Sequence, residues 1–297
     1  MLMQKRHPLL NPLSALPALL TMLWLVSSCA LPGMGAPPGE SLTPLQVLQN
    51  SANTMRHLKS SHVELQSSAS MQNVRGNAAP TNSTFTLKGS GDVVPPDQEQ
   101  MKLKLSNGML VTAIVQGNQV YVQNSQGKWY VLNREDLAGL IDNPLSGVSI
   151  NQDSLLSLMQ HAQVTDHGDE SLNGQSLRHL SAVLDKAGLS QLLQENPQFT
   201  SSLAHENINI NDYLNRAESF QSSLDVWIDE SKFYLNRAQI QLNLTADTTG
   251  FEGTTASSTT TLKLNTVVDL SKFNAPVTIT APANATPTDN PIVILGG

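Results

Sequence analysis

Three groups of residues in this chain have types that could do chemistry: one thiol, one acidic cluster and the histidines. Cys29 is the single cysteine among 297 residues. It follows two small residues, Ser27-Ser28, at the end of a short apolar run, Pro17 to Leu25, that itself follows Lys5, Arg6 and His7. Asp166-His167-Gly168-Asp169-Glu170 collects metal-ligating residue types within five positions. Its spacing matches no helix- or strand-borne ligand set, and an acidic stretch with a glycine reads as a solvated turn. The histidines (His7, His57, His62, His161, His167, His179 and His205) are scattered, with no HExxH-type pairing. No G-x-S-x-G elbow, G-x-x-x-x-G-K loop or G-x-G-x-x-G turn occurs. The expectation is a protein that is not an enzyme and needs no metal or cofactor.

Cys29 is different. A basic start, an apolar core and a small-residue cleavage site form an export signal. The apolar run is shorter and more proline-broken than the roughly 20 residues a membrane span requires. A small-small-Cys ending resembles a bacterial lipobox, in which the thiol receives a diacylglyceryl group and cleavage leaves Cys29 as the N-terminus. The alternative is an ordinary secretory signal followed by an incidental cysteine. Lipidation uses up the only thiol, so no disulfide, thiolate nucleophile or cysteine metal ligand remains. Two or three acyl chains anchor stably where a single chain holds only marginally. The expected location is the extracytoplasmic face of the cell membrane. The net charge of −7 excludes a nucleic-acid partner, which needs a basic face, and argues against tight electrostatic attachment to anionic head groups.

The elements behind these residues divide the chain. Residues 1–28 read as the signal peptide. Residues 29–40 hold the lipidated cysteine and a Pro- and Gly-rich tether, which spans up to roughly 30 Å at ~3.1 Å per residue. Residues 41–282 form the folded domain, and 283–297 a C-terminal tail. Ser41 or Thr43 caps a first helix with Pro44 in its first turn, and Leu45, Leu48, Ala52, Met55 and Leu58 form its apolar stripe.

A period of two then dominates. Val63, Leu65, Ala69 and Met71 alternate with polar residues, as do Phe85 and Leu87, with Gly89 and Gly91 continuing their face. Met101, Leu103 and Leu105 alternate with Lys102 and Lys104, while Met109 to Val115 is apolar on both sides. This is the pattern of antiparallel hairpins with one buried face. Helical spacing returns at Arg134 to Ile141, Ser154 to Gln163, Lys186 to Glu195 and Asn211 to Phe220. Val164 opens a strand that turns over Gly168 to Gly174 and returns as Gln175 to Leu184. Further strands follow at Leu224 to Ile228, Phe233 to Leu244, Thr259 to Val268 and Pro276 to Ile279, with a loop at Gly250 to Ser258. No repeat is present, so the reading is one α+β domain.

This order resembles the LppX/LprG-type bacterial lipoproteins, which share the fold of the LolA-like lipoprotein carriers. The residues carrying the resemblance are Leu58-Lys59-Ser60, Gly117 to Trp129, Asp169 to His179, Val226-Trp227-Ile228-Asp229 and Leu270 to Pro282. The resemblance implies a curved antiparallel β-sheet, a half-barrel, with helices covering its concave apolar face and a cavity for acyl chains between them. The cavity-lining candidates are Val63, Leu65, Leu87, Leu103, Val111, Ala113, Val226, Ile240, Leu242, Leu262 and Leu264. Plain core packing is the competing role for each. Two functions follow. One is a membrane-anchored carrier of the acyl chains of a lipid, glycolipid or lipoprotein across the cell envelope. The other is a sensor or interaction module acting on a membrane transporter or signalling protein.

Overall fold

The alternation of apolar and polar residues is realised as a single sheet in the computed structural model, which describes residues 42–76, 78–134, 162–195, 210–250 and 257–289. Cys29, the tether, residues 251–256 of the Gly250 loop and most of the helices expected over Arg134 to Ile141 and Ser154 to Gln163 lie outside the described residues. In chain order the elements are α1 (Pro44–Arg56), β1 (Ser61–Arg75), β2 (Thr81–Val94), β3 (Gln98–Leu105), β4 (Leu110–Gln116), β5 (Gln119–Gln123) and β6 (Trp129–Asn133). They continue with β7 (Gln163–Leu172), β8 (Gln175–Leu184), α2 (Lys186–Glu195), α3 (Ile210–Asn215), β9 (Ala217–Asp229), β10 (Tyr234–Asp247), β11 (Ser258–Ser271) and β12 (Thr286–Pro287).

The spatial order is β12-β6-β5-β4-β3-β2-β1-β11-β10-β9-β8-β7. Every neighbouring pair is antiparallel except β12 on β6, and the sheet is curved and open, with β12 and β7 as its edges. The fold is therefore the α+β class expected. Long meanders explain it: tight turns such as Asn173-Gly174, both at positive φ (52° and 80°), return the chain directly onto the preceding strand.

Some expected boundaries move. Gly168 lies inside β7, where the register shifts between Asp166 and Gly168, so the turn is confined to Asn173-Gly174. The helix expected over Asn211 to Phe220 ends at Asn215, and Phe220 belongs to β9. Pro276 to Ile279 joins no strand, although Ile279 is buried. Thr286-Pro287, expected within the C-terminal tail, pairs with Tyr130 and Val131.

The start of α1 follows its sequence signals. The Thr43 side chain accepts from the Gln46 N–H, and the Gln46 side chain accepts from the Thr43 N–H, so two otherwise orphaned donors are satisfied. Its buried stripe is Val47, Leu48, Ser51 and Ala52, and the helix packs on β10 and β7. Leu45, expected in the stripe, is 53% exposed because the helix is turned to bury Val47. Asn274 closes the other end of β1: its side chain accepts from the Lys59 N–H and donates to the Tyr234 hydroxyl, and its N–H donates to the Ser60 carbonyl. Among the described residues no helix is long and apolar enough to cross a membrane.

Candidate functional site

Cross-strand partners in a sheet point to the same side, so strand pairing assigns every strand residue to a face. All eleven lining candidates fall on one face. Val63 stands opposite Gly91, which faces Met101, which faces Ala113. The next row across the sheet runs Leu180, Val226, Ala238, Val268, Leu65, Gly89, Leu103 and Val111. A third row carries Ala182, Leu224, Ile240, Thr266, Ser67 and Leu87. A fourth carries Leu184, Ser222, Leu242, Leu264, Ala69 and Phe85, and a fifth carries Phe220, Leu244, Leu262, Met71 and Ser83. Together they form one largely apolar surface, interrupted by the hydrogen-bonded pair Ser67–Thr266 and by Ser222.

This surface has two halves. In the first two rows Val63, Leu65, Leu103, Ala113 and Val226 are buried, alongside Leu180, Ala238 and Val268. Two glycines permit this closeness. A Cβ on Gly91 would fall on the Gln100 carbonyl oxygen and on Met101, and one on Gly89 would sit 2.8 Å from Leu103 Cδ2. Larger side chains from β3 therefore lie across bare β2 backbone. In the lower rows Ile240, Phe85 and Met71 are 42%, 44% and 47% exposed, and Leu242, Leu262 and Leu264 are half-buried. Leu87, Ala182, Leu184, Leu224 and Leu244 are buried within this half, so its open part is the strip through Ile240, Leu242, Leu262, Leu264, Phe85 and Met71, and Val111 is half-buried at the β4 margin. Below the fifth row the surface ends in hydroxyls: Thr248 bonds to Ser258 and Thr260, and Ser258 donates to Asn73 Oδ1. At the opposite end Glu99, facing Val93 and Val115, has its carboxyl pushed up by burial, partly offset by Arg134. Polar groups thus bound a contiguous apolar patch.

The other face is polar and tied together by specific contacts. Trp227 stacks on His179 at 4.3 Å between ring centroids, and His179 on His167 at 4.4 Å. Trp227 Nε1 donates to Glu170, while Asp225 lies 3.2 Å from His179 Nε2. Glu170 Oε1 approaches His179 Nδ1 to 3.0 Å, off the line of a good hydrogen bond, which leaves Nδ1 without a geometrically sound partner. The acidic cluster of β7 is thus spent on the sheet. Asp166 accepts from Arg178 and from the Gly168 N–H, His167 bonds to Ser181, and Glu170 serves Trp227. The Arg178 guanidinium holds the Asp166 carboxyl below its usual range; the close His179 ring and the Trp227 N–H do the same for Glu170. The stacking was not legible in the sequence, because His179 and Trp227 become neighbours only through β8–β9 pairing.

Two open grooves of about 650 and 390 Å³ also lie on this polar face and meet at Gln241 and Asn243. Gln221, Ser223, Ser68, Ser70 and Asn265 line them, together with apolar residues such as Val183, Phe220 and Phe85.

No family model matches the chain, and comparison of its sequence with curated proteins gives no match. Among solved structures, the chain is similar to the lipoprotein LppX of Mycobacterium tuberculosis, with 17% identity and a TM-score of 0.46 over 80% of this chain and 97% of that one. It is similar to LprF from Mycobacterium bovis, at 17% identity and a TM-score of 0.42, over 82% of this chain and 100% of that one. A LolA superfamily protein from Nitrosomonas europaea is 11% identical, with a TM-score of 0.22, over 80% of this chain and 96% of that one.

Proposed function

We propose that this protein is an envelope lipoprotein, anchored through lipidated Cys29, that takes the acyl chains of a lipid, glycolipid or lipoprotein onto its apolar face and carries them across the cell envelope. The observation that carries the reading is the half-open apolar surface. Ile240, Phe85 and Met71 stay exposed beside half-buried Leu242, Leu262 and Leu264 on one contiguous face bounded by polar groups. Contiguous exposed apolar surface marks a place where something apolar binds. Moving a chain from bilayer to this surface exchanges one apolar medium for another. The ~0.8 kcal/mol per CH₂ nearly cancels, and loading is reversible without an energy source. The small-small-Cys ending after an apolar run supports the anchor.

Native mass spectrometry of the full chain purified from its own membranes tests the cargo. A co-purifying lipid mass is expected, and an empty protein would move the reading to an interaction module. Metabolic labelling with a tagged fatty acid tests the anchor separately: Cys29→Ala should abolish the label, and equal labelling of variant and parent would refute lipidation at that thiol.

A further inference from the structure

The polar face carries a feature that the apolar face does not explain. Lys88 of β2 and Lys102 and Lys104 of β3 lie together on it, all three exposed. Lys88 stands directly opposite Lys104, an arrangement of like charges that weakens a sheet. Lys102 faces Ser90 on one side and Thr112 on the other. Among the described residues none of the three lysines has a hydrogen-bond, ion-pair or ring partner. The flanking carboxylates are Glu64, opposite Ser90, and Asp92, opposite Gln100 and bonded to His62. In a chain of net charge −7 this is a local field of the opposite sign, kept at a cost to the sheet.

A second observation adjoins it. Leu110, the cross-strand partner of Lys104, is 63% exposed on the same face, at the foot of the β3–β4 turn. Three free ammonium groups beside an exposed leucine at a hairpin tip match the layered chemistry of an anionic lipid surface, phosphate outside and hydrocarbon beneath. Lysine stems lie along apolar surface while their heads stay at the phosphates. An acidic protein or polymer would satisfy the lysines and leave Leu110 in water.

We propose that Lys88, Lys102, Lys104 and Leu110 form a docking surface for an anionic bilayer, entered by the β3–β4 turn. The contact is local, so it is compatible with the acidic balance of the whole chain. Phe85 of β2 and Met71 of neighbouring β1 are exposed on the other face of the sheet, towards the end where β3 turns into β4. Tip-first contact therefore brings the open half of the apolar face to the lipid surface; that last consequence, unlike the docking itself, rests on the acyl-chain reading.

The test uses the full chain with Cys29→Ala, which removes the anchor, and Ser106→Cys, which supplies one thiol in the turn for an environment-sensitive dye. The probe is a vesicle of phosphatidylcholine with or without phosphatidylglycerol. Flotation with the anionic vesicles and a blue-shifted dye are expected, both lost at high salt. Each lysine near an anionic surface changes affinity about five-fold. Lys88→Gln, Lys102→Gln and Lys104→Gln together should therefore weaken binding at least ten-fold, while arginine at the same positions should retain it. Leu110→Ser should remove the dye shift and keep part of the flotation. The apolar run at Pro17 to Leu25 contributes equally to all variants, so the difference between them isolates the patch. Equal binding to neutral and anionic vesicles, unchanged binding of the glutamine variant with an unchanged thermal melt, or preference for polyglutamate over vesicles would each overturn the proposal.

Discussion

The two halves of the apolar face are built from the same alternation yet differ in what lies on them. Around Val63, Leu65 and Val226 the face is sealed by neighbours, and around Ile240, Leu242 and Phe85 it stays partly in water. Period-two patterning specifies which side of a sheet a residue takes; it is silent on depth, because depth depends on what packs above. The sealed half supplies the folding energy, and the open half is free to serve a ligand. A substitution should therefore act on stability in one half and on binding in the other.

The largest effect is expected where the sealed half is tightest. Gly91→Ala puts a methyl group against the Gln100 carbonyl and Met101, neither of which can move without shifting β3. Overpacking of this kind costs roughly 3 kcal/mol or more, and a chemical melt should show it. Gly89→Ala meets mainly the ends of Leu103 and Met101 and should cost less. Equal melts for the two would mean that β2 and β3 give way freely, and the sealed half would lose its meaning.

A matched pair divides the halves directly. Val226→Trp overfills the sealed rows and should destabilise by roughly 1–3 kcal/mol. Leu242→Trp projects into the open half, so its melting temperature should stay near that of the parent while co-purified lipid falls sharply. Equal destabilisation by both, in a protein that carries no lipid, would make the whole face solid core.

The sequence made the faces legible and misjudged particular depths. All eleven lining candidates share a side because alternation is local and the strands are long. The stripe of α1 was misjudged because two stripes fit the same helical spacing, Leu45-Leu48-Ala52 and Val47-Leu48-Ser51-Ala52. The small Ser51 allowed the second to be buried. Phe220 was drawn into a helix because β9 and β10 shift register between Thr245 and Ala246, which breaks the alternation of β9 there. Thr286-Pro287 gave no strand signal, since proline is tolerated only at an edge, which is where β12 lies.

The smallest expected effect lies off the apolar face and serves as its control. Asp166→Asn breaks the charge-assisted pair with Arg178 and should cost about 1 kcal/mol at neutral pH. The Asp166 carboxyl titrates lower in the folded state than in the unfolded one. Its contribution is therefore complete above the unfolded value of roughly 3.9 and is lost as pH falls through the folded value. The stability gap between parent and variant should close in that acid range, with bound lipid unchanged at neutral pH. A gap that persists well below it, or a loss of lipid in the variant, would show that the polar face is coupled to the apolar one.

The pairing of β1 with β11 joins the first described strand to one of the last. The sheet's centre therefore cannot form until nearly the whole polypeptide is available. Contacts so distant along the chain make folding slow, in the range of milliseconds to seconds. A chain that travels through a membrane before it folds benefits from that delay. During synthesis the β2–β6 meander has no β11 beside β1 to close against, so under the proposed reading as an exported lipoprotein the chain stays threadable until its C-terminal third is made.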